Sequence, residues 1–109
     1  MAFAGKIMEY EHESGDVHRL LFGVECITWE CLSGSAEGFL RTVPYGAEEI
    51  ESNLLFISWS DDDSDVGSIV ADLGKNSLHC WHVSEGVRHF WKGTIKNFSD
   101  APIKTKGTL

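Results

Sequence analysis

Short runs of strand-forming residues, each closed off by a turn signal, recur along the whole of this 109-residue sequence. Met8, Tyr10 and His12 alternate with Ile7, Glu9 and Glu11, and Ser14-Gly15-Asp16 then turns the chain. Further runs cover 17–23, 26–32, 38–43, 45–50, 54–60, 66–73, 78–83 and 88–98. In the third, Ile27, Trp29 and Cys31 share a face. Pro44 separates the fourth from the fifth, because proline cannot donate to a ladder. No long segment keeps apolar residues at the i, i+3, i+4, i+7 spacing of a helix. Eight or nine strands with a turn about every 8–12 residues predict an all-β fold. Short connections favour neighbours in sequence as neighbours in the sheet. Closure removes exposed edges. The expectation is a small antiparallel up-and-down barrel, one domain over 1–109, with 100–109 an extended or frayed tail.

The charge balance narrows the function. Seventeen acidic residues against nine Lys and Arg give a net charge of −8. That disfavours a nucleic-acid binder, which needs a positive face, and a surface that docks on anionic membranes. No run approaches the roughly 18 apolar residues of a spanning helix. The three cysteines, Cys26, Cys31 and Cys80, are odd in number and follow no visible secretory leader. Free thiols in the cytoplasm are expected. Phosphate-binding glycine loops, dinucleotide fingerprints and a G-x-S-x-G elbow are all absent, so no nucleotide cofactor and no serine hydrolase is indicated.

Several polar residues fall where a barrel interior would present them. Tyr10 and His12 share a strand face and are placed to orient a ligand carboxylate or phenol. Arg41 sits among Phe39, Leu40 and Val43; inward it would anchor an anion, outward it would pair with surface carboxylates. Trp29 and Trp59 are candidate pocket walls, and Trp81 and Trp91 complete the indole set. His82 shares a face with Cys80 but not with His79, so the three cannot chelate together, and no metal is expected. His18 and His89 read as surface or rim residues. Asp61, Asp63 and Asp65 mimic the first positions of a calcium loop, but Val66 replaces the required glycine, Asp72 the final glutamate, and the flanks are strands.

Particular words in the sequence resemble a known group of barrels. Gly5-Lys6 and Tyr10-Glu11-His12-Glu13-Ser14-Gly15 resemble the opening strand and hairpin of calycin-like barrels that include the phenolic acid decarboxylases. Pro44-Tyr45, Glu48-Glu49-Ile50 and Leu55-Phe56-Ile57-Ser58-Trp59 resemble the MoaF-like branch. The turn at 61–65 and the run Val66 to Leu73 match the next hairpin of both. The resemblance spans about residues 5–84 and implies a lipocalin-like barrel. Against the decarboxylases, the tyrosine pair becomes Tyr10 and His12, while Gly38 and Pro44 stand at the arginine and the glutamate. Arg41 lies three residues past Gly38, an odd offset that points to the opposite face of a continuous strand. The expected activity is binding of a small, partly apolar or anionic molecule inside the barrel through Tyr10, His12, Trp29, Arg41, Trp59 and His82. The alternatives are a divergent lyase or isomerase with Tyr10 and His12 as acid and base, and a homodimeric interaction module.

Overall fold

The computed structural model describes residues 1–61 and 65–101. Eight strands run β1 (Lys6–His12), β2 (Val17–Phe22), β3 (Cys26–Ser33), β4 (Leu40–Glu51), β5 (Leu54–Ser60), β6 (Val66–Asp72), β7 (Ser77–Ser84) and β8 (Val87–Asp100). Each pairs antiparallel with the next, and β8 returns to β1, so the sheet closes into a barrel without crossovers. Among the described residues there is no helix. Residues 62–64 and 102–109 lie outside the described residues, and with them Asp63 of the calcium-like turn and most of the expected tail.

The count of eight arises at Pro44. The runs on either side of it form the single strand β4, whose first half pairs with β3 and whose second half pairs with β5. Cys26↔Pro44 ends the first ladder, and Tyr45↔Trp59 begins the second. Pro44 therefore stands where the strand changes partners, and its missing N–H interrupts neither ladder.

Alternation assigns the inside. Met8, Leu20, Phe22, Ile27, Val43, Leu55, Ile57, Ile69, Ala71, Leu78, Cys80 and Ile95 are buried. At roughly 1.5–3 kcal/mol for each large apolar side chain, this filling supplies the main driving force. One end of the barrel is plugged. Phe3, from the segment before β1, meets Phe22 with ring centroids 5.8 Å apart, and Phe22 meets Tyr45 at 5.7 Å and Phe98 at 6.4 Å. The Tyr45 hydroxyl donates to Gly23 O at 2.7 Å, and Ala101 N donates to Gly5 O, fastening this end. The opposite end gathers the C-terminal ends of β1, β3, β5 and β7 with the N-terminal ends of β2, β4, β6 and β8. Polar and aromatic side chains replace aliphatic ones there.

Candidate functional site in the open end of the barrel

A cavity of about 280 Å³ occupies this second end. Tyr10, His12, Trp29, Arg41, Trp59 and His82, the six residues singled out in the sequence, all line it. His18, Asp65 and Trp91 line it as well. The register explains the convergence. Tyr10 and His12 face inward from β1, Trp29 from β3, Trp59 from β5, His82 from β7 and Trp91 from β8, each on the face of its strand that carries the core farther down.

Tyr10 forms the floor. Its ring is stacked between two neighbours: His18 on β2 at 5.2 Å and 18°, and Trp91 on β8 at 5.5 Å and 17°. Trp29 Nε1 donates to its hydroxyl oxygen at 3.0 Å. Burial raises the Tyr10 phenol well above its ordinary value, outweighing the opposing effect of the Trp29 hydrogen bond. The phenol thus keeps its proton at neutral pH and serves as a fixed polar point. Trp29 meets Trp59 edge-on at 4.7 Å and 75°. The missing side chain of Gly67 makes this possible: a Cβ there would run into the Trp59 indole and come within 2.6 Å of His82 Cβ.

Two histidine groups border the cavity. His12 packs on Trp91 at 4.5 Å and lies 6.4 Å from His18. Ser14 N donates to His12 Nδ1 at 2.9 Å, so in the neutral ring Nε2 carries the hydrogen and is the donor left to a ligand. His82 stacks on His89 at 4.7 Å and 14°, with Cys80 Sγ 4.0 Å from His82 Nδ1. Burial, then the nearby His12, holds His18 below its ordinary value; burial, then the nearby His89, does the same for His82. Burial pushes the Cys80 thiol up to about 12, leaving it protonated and unreactive.

Arg41 faces the cavity, but its charge is taken. Nη1 donates to Asp65 Oδ2 at 2.7 Å, and Nη2 pairs with Asp61. The Arg41 hydrogen bond holds the Asp65 carboxyl below its ordinary value. The odd-offset count from Gly38 placed Arg41 on the opposite face. It fails because Gly38 is in the turn before β4, whose alternation starts at Leu40 and puts Arg41 with Val43. Above Tyr45↔Trp59 no β4–β5 backbone pair forms among the described residues, and Arg41 ties β4 to the β5–β6 turn.

His18 and Trp91 were not singled out from the sequence as site residues. The available signal was alternation: His18 is in phase with Leu20 and Phe22, both buried. Among the described residues, the metal-ligating side chains that come together are Asp16, His18 and Cys31.

No protein-family model and no curated protein matches this sequence. A solved structure described as a putative beta-lactamase from Burkholderia vietnamiensis matches with a TM-score of 0.76. The match has 16% identity and covers 88% of this chain and 95% of that one. At that identity the likeness speaks for the barrel fold alone.

Proposed function

We propose that this protein is a MoaF-like member of the calycin-like barrels that binds a small, flat, largely apolar molecule in the open end. The observation that carries the reading is the aromatic cavity itself, with Trp29, Trp59 and Trp91 around Tyr10. Its volume lies near the lower end of the roughly 300–1,000 Å³ usual for small-molecule sites. Indole faces stack a planar ligand, and His12 Nε2 and His82 supply orienting hydrogen bonds. Because Arg41 is matched by two carboxylates, the site favours a neutral ligand over an anion. An acid–base role for Tyr10 is disfavoured by its burial and raised pKa, since a general acid works best near the operating pH.

Fluorescence titration with neutral N-phenylnaphthylamine tests this. One probe per chain is expected, with affinity lowered about tenfold by Trp59→Ala, the equivalent of about 1.4 kcal/mol, and unchanged by Phe90→Ser on the outer wall. Absence of saturable binding, or equal binding by all three proteins, would overturn the reading.

A second reading, homodimerisation, draws on the outer face of β5–β8. Phe56 pairs with Val70 across β5–β6, Trp81 pairs with Phe90 across β7–β8, and Phe90 is 74% exposed. Sedimentation equilibrium of the wild type and Phe90→Ser tests it: a dimer that the variant dissociates supports it, and a wild-type monomer rejects it.

A further inference from the structure

On the β2–β3 wall, three unlike donors meet. His18 and Cys31 are register partners on adjacent strands, so their side chains leave the sheet side by side. Asp16 stands two residues before His18, where the ladder shifts register between Val17 and His18. One ligand atom from each of the three lies within 4.8 Å of the others. His18 Nδ1 is buried and has no hydrogen-bond partner, a costly state for an imidazole nitrogen inside a protein.

The surroundings hold the trio in place. Asp16 Oδ1 accepts from Ser35 N at 3.2 Å and Oδ2 accepts from Ser35 Oγ at 2.9 Å, which fixes the carboxylate and leaves further lone pairs on both oxygens. A Cβ on Gly34 would collide with that carboxylate, so the Ser33–Ser35 turn is shaped around Asp16. Stacking on Tyr10 fixes the His18 ring. Cys31 Sγ donates only a weak bond to Ser33 O, at 3.3 Å.

We propose that Asp16, His18 and Cys31 bind a single zinc ion, with water completing its coordination. The donor set selects the metal: one sulfur, one imidazole nitrogen and one carboxylate oxygen suit Zn²⁺, whereas Mg²⁺ and Ca²⁺ take oxygen ligands. Three protein ligands with water in the fourth position are the pattern of open zinc sites, as distinct from closed structural ones. Binding releases the Cys31 thiol proton to solvent and leaves a thiolate on the metal. His18 coordinates as the neutral imidazole. The Ser35 hydrogen bonds become the outer support that orients a ligating carboxylate. This site is independent of the apolar ligand proposed above, although His18 borders both.

Cobalt(II) titration of the chelator-stripped full chain decides it. One Co²⁺ per chain is expected, with a thiolate-to-cobalt charge-transfer band and the strong d–d absorption of four-coordinate cobalt, both abolished by Zn²⁺. Cys31→Ser is expected to remove the charge-transfer band, and Cys80→Ser to retain it. Should Cys31→Ser fail to fold, Asp16→Asn on the surface turn provides the second arm, with zinc affinity falling at least about tenfold, as ligand and outer-support losses do. No charge-transfer band in the wild type, or one that survives in Cys31→Ser, would overturn the proposal. Zinc affinity unchanged in Asp16→Asn would do the same.

Discussion

The two ends of this barrel are built on the same eight strands and the same alternation, yet they hold opposite contents. At the plugged end Leu55, Ala71, Leu78 and Ile95 are sealed beneath Phe3, Phe22 and Phe98. At the open end the same inward phase delivers Tyr10, His18, Trp29, Arg41, Trp59, His82 and Trp91. The first set fills space with side chains that need no partners. The second leaves space, because flat rings held by hydrogen bonds and stacking do not collapse into one another. Stability and binding therefore concentrate at different levels of one continuous interior, as Leu55 and Trp59 on β5, Leu78 and His82 on β7, and Ile95 and Trp91 on β8 show.

Mutations should separate the two levels. The largest effect is expected at the plugged end: Leu55→Ala should lower unfolding free energy by about 2–5 kcal/mol in denaturant melts. Binding of the naphthylamine by the folded fraction should be unchanged; a joint loss of stability and binding would merge the two ends. Gly67→Ala should cost less, about 1–3 kcal/mol by overpacking. It should nonetheless weaken probe binding, because the new methyl displaces the Trp59 indole. Smaller again is Tyr10→Phe, expected to cost about 1 kcal/mol by leaving Trp29 Nε1 without its acceptor. Thermal melts resolve that difference.

The gentlest perturbation is pH. His18 and His82 have folded values held below the ordinary 6.5, so the unfolded chain takes up protons first as the solution is acidified. Their contribution is complete above pH 6.5 and is lost as pH falls from there through the lower folded values. The urea midpoint should drop between neutral and mildly acidic pH, and His18→Gln combined with His82→Gln should flatten that dependence. A midpoint that rises on acidification would contradict the assigned sign.

Much of this was legible in the sequence, for reasons that differ by element. The strands were visible because period-two alternation survives wherever one face is buried. It set Tyr10 with His12, Trp29 with Ile27 and Trp59 with Ile57 on shared faces, but which face lines the barrel is fixed by closure of the sheet. Pro44 broke the reading, because a strand that changes partners midway has no signature beyond the proline itself. Arg41 stayed open between inward and outward, because a count from Gly38 starts in a turn and carries no strand phase. His18 escaped because histidine at the wet end of a strand reads the same whether it faces solvent or a cavity. The pairing of Arg41 with Asp61 and Asp65 joins residues more than a strand apart, and no local pattern encodes it. The approach of Asp16 to Cys31 depends on a register shift that sequence does not announce.

The central claim, that the open end holds a flat apolar ligand, is tested most directly by the indole N–H resonances of the four tryptophans during titration with N-phenylnaphthylamine. Trp29, Trp59 and Trp91 line the cavity, whereas Trp81 faces outward beside Phe90. The account predicts saturable shifts of the first three and a stationary Trp81 signal. A shift confined to Trp81, or four unmoved signals, would contradict it.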